Sequence, residues 1–282
     1  MILAAISSSL CRPALHARAR PLCCEAHDVQ QALAAVRRRL AAAAGEGEEP
    51  RLVAVSKTKP VEALREAYDA GVRDFGENYV QELVSKAPQM PSDVRWRFIG
   101  KLQSNKAKVL SQARSIRCAR PHICSAAHAR SGPPPAQVPN LVAVETVDSL
   151  KLATRLDSAL RALERPEPLA VLVQVNTSPW EGTKGGVLAE EAAELAAAVA
   201  ADCKSLRVAG LMTIGAAGDT GCFAALAACR EAVAARLAVP PESLELSMGM
   251  SGDFEEAARS GSTSVRVGSS IFGARDYSKA AR

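Results

Sequence analysis

Lys57 closes an apolar, β-branched run, RLVAVSK (51–57). An ammonium there is costly to desolvate unless it has a partner or a purpose. Partial desolvation lowers a lysine pKa, and the free amine is then a nucleophile toward a carbonyl carbon. A strand-end lysine can also simply reach solvent, so Lys57 gains meaning only from its company. Two later runs end in Gly/Ser-rich loops, Ser247-Met248-Gly249-Met250-Ser251 and Arg266-Val267-Gly268-Ser269-Ser270. Gly249 and Gly268 permit close backbone approach, and Ser247, Ser251 and Ser269 bring hydroxyl donors; together they could bind a phosphate. Another run ends in Glu77-Asn78.

What the chain lacks narrows the chemistry further. Its four histidines (His16, His27, His122, His128) all fall in 1–27 or in 111–138. The rest of the chain therefore cannot use Ser-His or Cys-His catalysis or a His-ligated metal. Any chemistry there must draw on Lys, Arg, Tyr, acids or a cofactor. Of eight cysteines, only Cys203, Cys222 and Cys229 lie outside those two segments, at helical or loop positions, which is no disulfide framework. The net charge of +5 is equally local: residues 1–24 hold three Arg and no acid, and 111–138 hold four Arg and no acid. The remainder is slightly negative, which argues against a nucleic-acid-binding face. No apolar run approaches membrane-spanning length.

The elements that must position these residues alternate regularly from Asp28 onward. Asp28 can cap a helix with Val29, Leu33, Val36 and Leu40 on one face. Strand signals follow at 51–57, 72–78, 95–100, 141–147, 170–176, 207–215, 244–250 and 264–273. Between them lie helical patterns: from Pro60 to Gly71, YVQELVSKA, a short helix capped by Ser104, and one from Asp148 with Leu152, Leu156, Leu160 and Leu163. Further helices are expected around 189–201 and 220–238, with a short one ending at Gly261. Several strands are apolar throughout, as strands covered on both faces should be. The fold class is α/β, a single (β/α)8 TIM barrel with a preceding N-terminal helix. An open doubly wound sheet is the alternative, but no G-x-G-x-x-G follows a strand.

In such a barrel chemistry collects where strands end, and the loops after the last two strands commonly bind phosphate. A Schiff-base lysine facing a phosphate cradle suggests pyridoxal phosphate, with a phosphosugar aldolase as the rival. Two segments stand apart from the barrel, which should occupy 28–282. Residues 1–27 read as a disordered or targeting segment; the first 24 have the composition of an organelle transit peptide. Residues 111–138 lack periodicity, end Pro-rich and read as a disordered insertion on the face opposite the strand ends, as a retained intron or a gene-model error would produce. Cys118, His122, Cys124 and His128 within it match no zinc spacing, so no metal site is expected.

Seven ordered motifs carry a resemblance: VSKTKP (55–60), FGENYVQE (75–82), FIGKLQSNK (98–106), VQVNTS (173–178), GLMTIG (210–215), LSMGMSGDF (246–254) and VRVGSSIFG (265–273). From Arg51 to Tyr277, excluding the insertion, the chain resembles the pyridoxal phosphate homeostasis protein family, also called the proline synthase co-transcribed protein family, related to the alanine racemase N-terminal barrel. The resemblance implies pyridoxal 5′-phosphate held covalently as an internal aldimine on Lys57, with Asn78 beside it. It implies that Ser247, Met250, Ser251, Gly268 and Ser269 hold ring and phosphate, and that Arg266 faces the pyridine nitrogen. The sequence departs from the family at Ser270 and at Pro179-Trp180.

Arginine stays protonated and offers no acceptor, so Arg266 would favour an unprotonated ring nitrogen and a weak electron sink. Racemization needs bases on both faces of the substrate carbon. Related racemases take the second, a tyrosine, from a C-terminal β domain, and this sequence ends at Arg282, nine residues after the last motif. Tyr79 is a conceivable substitute but is expected to pack on its helix. The expected function is therefore intracellular vitamin B6 homeostasis: a non-catalytic carrier, without catalytic residues of its own, that buffers the cofactor or delivers it to apo-enzymes. A racemase with a minimal site is the alternative. A monomer is expected, cytoplasmic, or mitochondrial or plastid if residues 1–24 act as a transit peptide, with no nucleic-acid or membrane partner.

Overall fold

Apolar strands that need cover on both faces obtain it here by closing on themselves, with helices outside. The computed structural model describes residues 28–107, 110, 140–161, 167–178, 185–216 and 218–274. Strands β1 (Arg51–Val55), β2 (Asp74–Glu77), β3 (Arg95–Phe98), β4 (Leu141–Val147), β5 (Leu169–Gln174), β6 (Leu206–Met212), β7 (Glu245–Ser247) and β8 (Ser264–Val267) form a closed parallel barrel in chain order. At the seam, Val53 pairs with Arg266 and Ala54 with Val267. The turn carrying Lys57 and the loop carrying Gly268 and Ser269 therefore leave neighbouring strand ends.

Helices α2 (Val61–Asp69), α3 (Val80–Lys86), α4 (Leu150–Arg161), α5 (Ala192–Asp202), α6 (Gly221–Leu237) and α7 (Phe254–Arg259) run between strands, and α8 (Ser269–Phe272) follows β8. The expected N-terminal helix is α1 (Val29–Ala44), whose first turn is held by the Asp28 carboxylate accepting from the Gln31 N–H at 3.0 Å. Its buried residues are Val29, Leu33, Val36 and Leu40. They join the same core as Phe254, Ile271 and Phe272. Helices α7 and α8 have six and four residues and cannot cover the β8 side alone; α1 completes the layer. Arg39 ties them together, stacking over the Phe254 ring at 4.8 Å and pairing with Glu255 at 2.8 Å.

Strand alternation turns a set of polar and charged residues inward. Trp96 and Phe98, Val265 and Val267, and Leu246 and Met248 all belong to the cores under the helices. Arg97, Arg266 and Ser247, each set between two of them, face the barrel interior. Glu145 meets Arg97 and Ser247 there and is fully buried.

Three expectations are corrected. The last strand does not run to 273: it stops at Val267, and Ser269–Phe272 turn into α8 so that Ile271 and Phe272 pack into the core. The seventh stops at Ser247, because Gly249 takes φ +93° and turns the chain away. Among the described residues Ser104 is not at a cap position: it is the first residue of a 3-10 turn (Ser104–Lys106) whose cap position is Gln103, which makes no side-chain cap bond. The segment 1–24, the insertion 111–138 with its Cys/His set, Leu163 and Pro179-Trp180 lie outside the described residues.

Candidate functional site

A cavity of about 270 Å³ opens at the C-terminal ends of the strands. Lys57, Asn78, Met250, Ser251, Arg266, Gly268 and Ser269 all line it. Lys57 stands in a turn just past β1 and is half-buried. Asn78 follows β2, and its backbone is fixed by close packing: a Cβ on Gly100 would sit 2.0 Å from the Asn78 carbonyl oxygen, so only glycine fits. The Gly100 carbonyl in turn accepts from Thr146 Oγ1 at 2.6 Å. The Asn78 Oδ1 atom is buried and accepts no hydrogen bond from the described residues.

The loops after β7 and β8 are joined to each other. The Gly268 N–H donates to Ser251 Oγ at 3.1 Å, and Ser270 Oγ donates to the Ser251 carbonyl at 3.4 Å. Gly249 is required beside them: at its φ of +93° a Cβ would come within 2.5 Å of Ala257 Cβ. A Cβ on Gly268 would stand 3.3 Å from Val55, tighter than ordinary contact. The first amides of α8 belong to Ser269 and Ser270, and by helix geometry they have no intrahelical acceptor.

Arg266 forms the cavity floor. It is buried, donates from Nη1 to Ser247 Oγ at 2.6 Å and from Nη2 to the Thr213 carbonyl at 2.6 Å. Burial lowers its pKa, opposed by the charges of Glu145 and Asp253. Ser247 is the one expected contact residue that does not line the cavity. It is fully buried behind Arg266 and donates a hydrogen bond to Glu145 Oε2 at 2.6 Å. Glu145 Oε1 lies 2.6 Å from Arg97 Nε, close enough for an ion pair though not aligned as a hydrogen bond. Burial pulls the Arg97 pKa down, and Glu145 and Glu245 outweigh it, so the net shift is upward.

Beneath Lys57 lies a second buried cluster. Glu77 accepts from Ser56 Oγ at 2.7 Å and from Lys86 Nζ at 2.8 Å. Burial raises the Glu77 pKa against the pull of Lys86.

Sequence reasoning missed Lys59, Ile99, Ile214, Gly252 and Gly273 in the wall, along with Val55. Ile99 and Ile214 stand one and two places past β3 and β6, so a strict reading of every strand end finds those two. Lys59 donates to the Phe272 and Ala274 carbonyls, both at 2.7 Å, pinning the end of α8 to the Lys57 turn. Tyr79 departs from expectation: it caps α3 in an extended conformation and is 53% exposed, because it precedes the helix and does not share its packed face.

A (β/α)8 barrel whose strand ends gather a lysine, an arginine and two Gly/Ser loops defines a class of protein, the racemase-type barrel. The family described as the alanine racemase N-terminal domain matches residues 30–276. The chain is 45% identical over 262 residues to the pyridoxal phosphate homeostasis protein of Bos taurus, covering 89% of this chain and 85% of that one. It is 41% identical over 264 residues to the protein of that name from Escherichia coli K12, covering 90% and 99%. The solved structure of PipY from Synechococcus elongatus PCC7942, with pyridoxal phosphate bound, matches at a TM-score of 0.62 and 31% identity, over 87% of this chain and 100% of that one. The chain belongs to the pyridoxal phosphate homeostasis protein family.

Proposed function

We propose that the protein holds pyridoxal 5′-phosphate reversibly on Lys57 and serves vitamin B6 homeostasis, buffering the cofactor or delivering it to apo-enzymes. The residues present fit that group. Asn78 Oδ1 is a buried acceptor in want of a donor, Gly268 brings bare backbone to the cavity wall, and the Ser269 and Ser270 amides beside it suit a phosphate. When bound, the cofactor supplies an aldehyde that condenses with amines and a ring that can accept electron density. Lys57 Nζ would be the amine that holds the cofactor through that aldehyde carbon. Arg266 would donate toward the ring nitrogen, and it has no acceptor with which to take a proton from it.

The observation that carries the carrier reading is the titratable content of the wall. Among the described residues that line the cavity, those groups are Lys57, Lys59 and Arg266, all basic. Lys59 is engaged with two backbone carbonyls, and Arg266 does not deprotonate. That leaves Lys57 as the single base, whereas racemization calls for one on each face of the carbon.

Two assays on the loaded protein test this. Mixed with an apo-enzyme that needs pyridoxal phosphate, it should restore activity as it loses its own cofactor. Incubated with D- or L-amino acids, it should give no sustained turnover. Steady racemization by Lys57-dependent protein would instead favour a catalyst with a minimal site.

A further inference from the structure

The turn that carries Lys57 is held in a conformation its own residues disfavour. Ser56 to Lys59 form a tight turn, closed by the Lys59 N–H donating to the Ser56 carbonyl at 3.1 Å. Its third residue, Thr58, has φ +63°. Turns that need a positive φ there are ordinarily built with glycine or asparagine. A β-branched residue in that region is an outlier, which persists only when the surroundings over-determine it.

The surroundings do so through α3. The Thr58 N–H donates to Glu82 Oε2 at 2.8 Å. Lys86, one helical turn further on, donates from Nζ to Glu82 Oε2 at 2.6 Å, to Glu77 Oε1 at 2.8 Å and to the Ser56 carbonyl at 2.8 Å. An ammonium has three protons, and all three have acceptors. Two of those bonds clamp the Lys57 turn, one directly at Ser56 and one through Glu82 at Thr58. The Lys86 side chain is only 8% exposed, a costly place for a charge that merely filled space.

We infer that Lys86, with Glu82, is a positioning residue for Lys57: the pair holds the Ser56–Lys59 turn in its left-handed form and so fixes the Lys57 amine at the cavity. The inference rests on Lys57 being the residue that bonds the cofactor. It gives the FGENYVQE segment and the lysine after it a task beyond helix packing.

The test uses the full chain with Lys86→Met, Thr58→Gly and the double variant. Circular dichroism checks that the barrel is folded. Hydrogen exchange of peptides spanning 55–60, measured without cofactor, reports the turn, and titration with pyridoxal phosphate reports the lysine. Lys86→Met should speed exchange at the Thr58 amide and weaken cofactor binding by about tenfold or more. Placing Thr58→Gly in that background should bring the loss attributable to Lys86 to within about threefold, since glycine takes the positive φ without strain. If Lys86→Met does not fold, Glu82→Gln takes its place, with the same two readouts. Unchanged exchange in the folded variant overturns the inference, as does a binding loss that Thr58→Gly leaves undiminished. A wild type that takes no pyridoxal phosphate would instead overturn the reading of Lys57, and the exchange measurement would still decide the role of Lys86.

Discussion

Ser247 Oγ stands 2.6 Å from Arg266 Nη1 and accepts a hydrogen bond from it, while donating its own to Glu145 Oε2 at the same distance on the other side. The arginine on the cavity floor is thus held by a hydroxyl it shares with a buried carboxylate. Ser247→Ala leaves one guanidinium N–H and one carboxylate oxygen buried without that partner. Stability should fall by about 1–3 kcal/mol, as buried polar groups do when one partner is deleted. Urea unfolding of the variant measures it; a change within about 0.5 kcal/mol, the range of an ordinary surface substitution, would show that the hydroxyl does not bridge these charges.

Gly100 should tolerate no side chain. A Cβ there would stand 2.0 Å from the Asn78 carbonyl oxygen, so Gly100→Ala must push β2 and β3 apart or displace Asn78. A loss of about 1–3 kcal/mol is expected, typical of overpacking, together with weaker cofactor binding. Normal stability and normal binding in the same variant would contradict the packing described.

The three described cysteines are buried and free. Burial pushes the Cys222 thiol from the ordinary 9.0 up to about 11, and Cys203 and Cys229 move the same way. The folded state therefore keeps protons that the unfolded state releases, and stability is lost as pH rises from about 9 to about 11. Cys222→Ala should flatten that loss when unfolding is followed across the window. An identical slope in wild type and variant would remove Cys222 as its source.

Asp28 accepts from the Gln31 N–H at 3.0 Å, and α1 backs the short helices beside the site. Asp28→Ala should cost about 1 kcal/mol, the usual value of an N-cap, without altering the cofactor cavity. Thermal unfolding and a cofactor titration separate the two effects; a binding loss with unchanged stability would contradict the purely structural role given to the cap.

The barrel was legible because its signals are local and repeated. The α1 face of Val29, Leu33, Val36 and Leu40 is buried as its spacing requires. Strand ends fared less well, since VRVGSSIFG is apolar enough to read as one strand, and nothing in its pattern marks Gly268 as the point where a helix begins. Seven of the eight expected contact residues reach the cavity because strand ends converge there by topology. Ser247 falls behind Arg266 because it is still within β7, facing the barrel interior below the rim. The Lys86 cluster was invisible, because a lysine at the end of an amphipathic helix reads as solvent-facing until the fold carries it under the Lys57 turn.

Lys57 as the covalent anchor is tested most directly by the absorption spectrum of the purified protein and of Lys57→Ala, before and after borohydride, followed by peptide mass mapping. The expected result is a yellow wild type with the pyridoxyl group reduced onto the peptide containing Lys57, and a variant without it. A folded wild type that stays colourless after incubation with pyridoxal phosphate, or a label that maps to another lysine, would contradict it.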